Sequence, residues 1–218
     1  MAKKVGAGAI YLILYNAFCV AGWAYCLFLA VTHYQAGLPA KVLWQQLKDP
    51  LTIVQTAAVL EIVHSLVGLV RSPWVTVFLQ VFSRVLLVWG YTRRFDVCQA
   101  HWSLFLMVVS WSCAEIPRYL FYICAQFQES HEIPSLLFFL RYSLFMVLYP
   151  TGITGEVMQM WTFTNSAAAS SDATWATATY AVYAIYVFGS PYMINNMLGN
   201  RKREFKKRKE ALTGKKNK

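Results

Sequence analysis

The chain has 218 residues, of which 57% are hydrophobic and only 14% charged, against about 25% charged in an average soluble domain. With a mean hydropathy of +0.40, this excludes disorder and an ordinary soluble enzyme, and it points to an all-α polytopic membrane protein. The formal net charge of +10 sits largely at one end: residues 201–218 hold ten Lys/Arg and two Glu, a balance of +8, so the basicity belongs to a tail and not to a nucleic-acid-binding face.

Crossing a bilayer takes about 20 mostly apolar helical residues, and six stretches are predicted to do so. The first, residues 9–32, follows Lys3 and Lys4. It is longer than a signal-peptide core and no clear cleavage site follows, so it reads as a retained span. The second, residues 51–70, lies between Pro50 and the Arg71-Ser72-Pro73 break. The third, residues 74–91, is interrupted by Gln80 and Arg84. The fourth, residues 102–125, contains Glu115, Pro117 and Arg118. The fifth, residues 135–163, carries Pro150 and Gly152, and the sixth covers residues 175–198. Residues 34–49, 93–100, 126–134 and 165–174 read as loops. The result is a six-transmembrane-helix bundle over residues 1–198 and a basic tail over residues 199–218.

An even number of spans places both termini on one side, and the tail makes that side cytosolic by the positive-inside rule. The tail is also suited to anionic lipid headgroups. Lys41, Lys48, Arg93 and Arg94 fall on the opposite side, so orientation rests on the tail with Lys3 and Lys4. The last four residues, Lys215-Lys216-Asn217-Lys218, resemble the dilysine retrieval signal of endoplasmic reticulum membrane proteins, a receptor-read address.

The five cysteines, Cys19, Cys26, Cys98, Cys113 and Cys124, contain no C-x-x-C pair. They read as small buried apolar residues and not as a disulfide framework or zinc site. Within the spans stand Glu61, His64, Arg84, Glu115, Arg118, Arg141 and Glu156. Each charged member costs about 2.5–3.5 kcal/mol at a membrane centre unless it faces a partner. Glu61 with His64, and Glu115 with Arg118, are three apart and share a helix face. The second pair reads in two ways: a neutralised internal pair, or Arg118 holding an anionic substrate group while Glu115 orients it. Arg84 and Arg141 either snorkel to an interface or face the bundle. His64 and Glu61 lack a third ligand at recognisable spacing, so no metal is expected. His64-Ser65 followed by five residues and Arg71 has the outline of a tyrosine-phosphatase loop. That chemistry requires a cysteine thiolate, and position 65 is serine in an apolar run.

Residues 141–156 form the densest constellation. Tyr142, Tyr149 and Glu156 are each seven apart, which on a straight helix puts them on one face at intervals of about 10 Å. Pro150 removes a backbone hydrogen bond and kinks the span. Gly152 and Gly155 allow close approach of another backbone or of a ligand. A phenol and a carboxylic acid in one water-poor cavity divide acid and base roles; the alternative is an ordinary kinked span.

Several segments are read together with that constellation. They are Gln55-Thr56-Ala57-Ala58-Val59-Leu60-Glu61-Ile62-Val63-His64, Gly68-Leu69-Val70-Arg71-Ser72-Pro73, Gln80-Val81-Phe82-Ser83-Arg84, Ser110-Trp111-Ser112 and Glu115-Ile116-Pro117-Arg118-Tyr119. With Tyr149-Pro150-Thr151-Gly152 and Glu156, they resemble the very-long-chain (3R)-3-hydroxyacyl-CoA dehydratases, once called protein tyrosine phosphatase-like proteins, the plant Pasticcino-type members in particular. The resemblance runs through almost the whole chain. It implies a six-span endoplasmic reticulum protein with cytosolic termini and a lyase for the third step of fatty-acid elongation, in which a 3-hydroxyacyl-CoA loses water to give the trans-2-enoyl-CoA. It implies Tyr149 and Glu156 as the catalytic pair. Arg118, Glu115, Tyr142 and Arg141 are the candidates for substrate binding. No metal or redox cofactor is implied, and the partners are membrane lipid and the other elongase enzymes, the condensing enzyme and reductases. The alternative is a non-catalytic scaffold of the same assembly. Pro117 departs from the family pattern and is expected to bend the fourth span and shift Arg118.

Overall fold

In hydrocarbon every backbone N–H and C=O must be paired within the protein, which favours helices for apolar runs of this length. All regular structure in the computed structural model is helical. It describes residues 6–70 and 72–216, the last two by backbone alone. Lys3, Lys4, Arg71, Asn217 and Lys218 lie outside the described residues. The helices are α1 (Ala7–Gln35), α2 (Ala40–Ala57), α3 (Val59–Leu66), α4 (Trp74–Val85), α5 (Asp96–Gln99), α6 (Ser103–Phe127), α7 (Ser135–Ser143), α8 (Phe145–Thr164), α9 (Ala167–Ser171) and α10 (Ala173–Lys216). A π-helical turn, Leu86–Thr92, extends α4.

These helices make six rods that alternate in direction: α1, α2 with α3, α4 with its π turn, α6, α7 with α8, and α10. Side-chain pairs between neighbouring rods run in opposite order along the two partners. Tyr15 meets Tyr119 and Trp23 meets Trp111 as α1 and α6 run opposite ways, with ring centroids 6.3 Å apart in both pairs. Trp23, Trp111, Leu47, Leu51, Leu104 and Met107 are almost fully buried at the centre.

Among the described residues, three helical stretches are long and apolar enough to cross a membrane: Ala7–Gln35, Trp74–Thr92 and Ser103–Phe127. A fourth is the pair Ser135–Ser143 and Phe145–Thr164, if the two helices count as one span bent by 42°. The remaining two rods carry more polarity. The α2–α3 rod breaks at Ala58, and α10 mixes apolar residues with Thr177, Thr179, Asn195 and Asn196. A single helix of 44 residues, about 66 Å long, joins the sixth expected span to the basic tail.

One local expectation needs correction. The segment before Pro50, read as loop, is helical from Ala40, and Pro50 lies inside α2. Leu43, Trp44, Leu47, Leu51 and Val54 are buried; they recur at the helical period, and packing that face outweighs the polar residues between them. Pro117 lies inside a continuous helix: α6 runs from Ser103 to Phe127, and Arg118 keeps its partner Glu115, Nε to Oε2 at 2.6 Å. Cys19, Cys26 and Cys98 are buried, Cys113 and Cys124 half-buried, and all five are free thiols.

Candidate active site

Glu156 points from α8 into the bundle and is 8% exposed. The indole Nε1 of Trp111 donates to its Oε1 at 2.8 Å. The hydroxyl of Tyr186, on α10, donates to its Oε2 at 2.5 Å. Both donors are neutral. Trp111 is held edge-on by Trp23, and the Arg84 guanidinium lies over its ring, 5.3 Å from the centroid. Tyr149, two turns before Glu156 on α8, is half-buried.

The sequence of α8 sets this geometry through Gly155. A Cβ there would lie 2.9 Å from the backbone nitrogen of Met107 and 3.0 Å from its Cα, so α6 and α8 touch backbone to side-chain position only because residue 155 has none. That contact puts the next residue, Glu156, against Trp111. A bond from Ser110 Oγ to Thr151 Oγ1 at 2.9 Å reinforces it one turn away. Towards the other end, the Gln159 amide donates to Cys98 O and to Ser103 Oγ, both at 3.0 Å, tying α8 to the loop around α5.

One helical turn from Trp111 lies a second polar cluster, drawn from four rods. Arg118 donates from Nη1 and Nη2 to the two oxygens of Glu61 at 2.9 and 2.7 Å, and from Nε to Glu115. Arg84 Nη1 donates to the other oxygen of Glu115. The Tyr119 hydroxyl donates to Glu61, as does that of Tyr15 at 3.4 Å. Two acids and two guanidiniums cancel. Glu115 is 4% exposed, and its side chain has a cation on each oxygen.

The structure therefore brings Tyr149 and Glu156 to one region, with Glu115 and Arg118 directly adjoining. It does not bring Tyr142 and Arg141 there, which corrects the expectation of one shared face. The heptad spacing assumed a straight helix, and the rod bends at Leu144 between α7 and α8. Tyr142 instead packs against Phe121 and Phe138, at centroid distances of 5.6 and 4.8 Å. Arg141 donates to the Tyr122 hydroxyl at 3.2 Å. Arg84, for which two readings were open, faces the bundle. His64 pairs with the Tyr11 hydroxyl at 2.8 Å, and among the described residues no group of three or more His, Cys, Asp or Glu could hold a metal ion. Sequence reasoning did not single out Trp111 and Tyr186 as the partners of Glu156. Trp111 stood within the Ser110-Trp111-Ser112 segment; Tyr186 had no signal beyond an aromatic residue in an apolar run.

The family model described as "Protein tyrosine phosphatase-like protein, PTPLA" matches residues 55–207. A very-long-chain (3R)-3-hydroxyacyl-CoA dehydratase, PASTICCINO 2 of Arabidopsis thaliana, is 41% identical over 213 residues, covering 92% of this chain and 95% of its own. PASTICCINO 2B of Oryza sativa subsp. japonica is 39% identical over 215 residues, covering 93% and 96%. Very-long-chain (3R)-3-hydroxyacyl-CoA dehydratase 2 of Homo sapiens is 38% identical over 151 residues, covering 69% of this chain and 58% of its own. No solved structure matches the chain.

Proposed function

This chain belongs to the protein tyrosine phosphatase-like (PTPLA) family, and from that membership we infer that it is a very-long-chain (3R)-3-hydroxyacyl-CoA dehydratase of fatty-acid elongation. Dehydration removes a proton from C2 and hydroxide from C3. The thioester acidifies C2, and hydroxide departs only when protonated. Glu156 takes the C2 proton. The C3–O bond breaks as the C2–C3 double bond forms, and Tyr149 donates its phenolic proton to the departing oxygen, giving water and the trans-2-enoyl-CoA. The reaction is redox-neutral and the thioester supplies the activation, so the mechanism calls on no cofactor. The observation that carries this reading is a buried carboxylate hydrogen-bonded by two neutral donors, Trp111 and Tyr186, two turns along the same helix from a phenol. A carboxylate in that setting has no cation paired to it and can accept a proton. General acid–base assistance of this kind contributes about 10²–10⁴-fold.

The six alternating rods support six spans with both termini on one side, which in this reading is the cytosolic side of the endoplasmic reticulum membrane, as the basic tail suggests. The acyl chain then lies among the apolar helices and the CoA head at the cytosolic face. Arg118 and Glu115 saturate each other and their neighbours, and form the charge-balanced wall of the site. Arg141 and Tyr142 stand beside the basic turn of α10, where Arg201 donates to Ser143 Oγ at 3.1 Å, and that placement suits contact with the anionic CoA head. Partner enzymes of the elongase, the condensing enzyme and reductases, complete the proposed setting.

The test is turnover of 3-hydroxyacyl-CoA to enoyl-CoA by purified protein. Tyr149→Phe and Glu156→Gln are each expected to lose about 10²-fold or more while inserting normally. Full activity in both variants overturns the assigned roles, whereas absence of turnover by the purified parent protein leaves the scaffold reading.

A further inference from the structure

We propose that Tyr186 is a positioning residue for Glu156, holding the carboxylate from α10 in the one orientation that reaches the C2 proton. The inference rests on the reading of Glu156 as the base. An ionised carboxylate offers about four lone-pair directions over its two oxygens. Here each oxygen accepts one bond, Oε1 from Trp111 on α6 and Oε2 from Tyr186 on α10. Two donors from two different helices fix the carboxylate plane at two points and leave the remaining lone pairs for substrate. Trp111 is the immobile point, buried at 2% exposure and packed edge-on against Trp23. Tyr186 is the second point, and without it the acid can swing about its bond to the indole.

Tyr186 reaches Glu156 from α10, so this one phenol couples the acid to a third helix beside α6 and α8. The chemistry of the donors matters as much as their placement. A guanidinium on Glu156, such as Glu115 carries, would pair the charge that the base must use; a phenol and an indole orient it without cancelling it.

The test is Tyr186→Phe in the full-length purified protein, which keeps the ring and removes one oxygen. A misplacement of about 1 Å at a reacting group costs on the order of 10²-fold, so kcat is expected to fall about 10- to 100-fold. KM should stay within about threefold, since substrate contacts are untouched. With substrate deuterated at C2, the isotope effect on kcat should rise above that of the parent, because proton removal becomes slower relative to product release. Adding Tyr186→Phe to Glu156→Gln should cost little beyond Glu156→Gln alone, because the phenol acts through the acid. Parental kcat in Tyr186→Phe, a change confined to KM, or losses that add in full with Glu156→Gln each overturn the proposal. If Glu156→Gln alone proves active, the failure lies in the reading of the base and is seen separately.

Discussion

Glu115 and Glu156 are both buried acids on neighbouring antiparallel helices, and each oxygen of each carboxylate accepts a hydrogen bond. Their partners differ in charge. Glu115 accepts from Arg84 and Arg118, and Arg118 also holds Glu61. Glu156 accepts from an indole and a phenol. Burying an ion costs several kcal/mol, which nearby opposite charge offsets when the geometry is good. The first cluster offsets that cost with paired charges and ties α1, α3, α4 and α6 together. In the second, dipoles orient the acid but supply no countercharge, so its proton affinity remains available to chemistry. One residue type thus serves architecture in one turn of the bundle and reactivity in the next.

Identical isosteric changes break this comparison most sharply. Glu115→Gln removes one acid from a balanced set of four charges and leaves Arg84 without its carboxylate. A loss of about 3–5 kcal/mol is expected, read as a large drop in thermal midpoint in detergent or as failure to accumulate. Next in size is Gly155→Ala. Its new methyl meets the Met107 backbone at 2.9 Å, and backbone cannot turn aside as a side chain can. Overpacking of this kind costs about 1–3 kcal/mol. Because the helices must separate at the residue beside Glu156, activity should fall with stability. Glu156→Gln is expected to change stability by less than about 1 kcal/mol, since its amide can accept from Trp111 and donate to the Tyr186 oxygen, leaving no buried polar atom unpaired. Stability that falls equally in Glu115→Gln and Glu156→Gln would erase the distinction between the two acids.

The contrast also separates what the sequence shows from what it hides. Apolar run length located the rods, and heptad arithmetic placed Tyr149 and Glu156 on one helix, because both depend on a single segment. The same arithmetic failed for Tyr142, since it assumes a straight rod and the chain bends at Leu144. It failed before Pro50 for the opposite reason: polar residues such as Gln45, Gln46 and Lys48 masked a helix whose buried face is apolar. The donors to Glu156 come from α6 and α10, 45 and 30 residues away. No spacing rule links positions across helices, so Tyr186 became visible only when the rods were packed. Arg84 belongs to the same class: its partners Glu115 and Trp111 lie on another helix, and a lone arginine in an apolar run reads equally well as a snorkelling one.

The smallest expected structural effect is also the most informative about substrate. Gly152 lies three residues after Tyr149 and four before Glu156, on the stretch of α8 between them. A Cβ added there would sit 3.7 Å from Ser110 Cβ and 3.9 Å from Trp111 Cδ1, both ordinary van der Waals separations, unlike the contacts at Gly155. Packing therefore does not demand glycine at 152, and helix propensity favours alanine over glycine by about 0.8–1.0 kcal/mol in a helix interior. Gly152→Ala should leave the thermal midpoint unchanged or slightly raised. If the reacting carbons of the substrate pass over this turn on their way between the phenol and the acid, the same methyl occupies their path, and kcat/KM falls without loss of stability. A variant both stable and fully active would instead place the substrate on another side of Glu156, away from the α8 backbone.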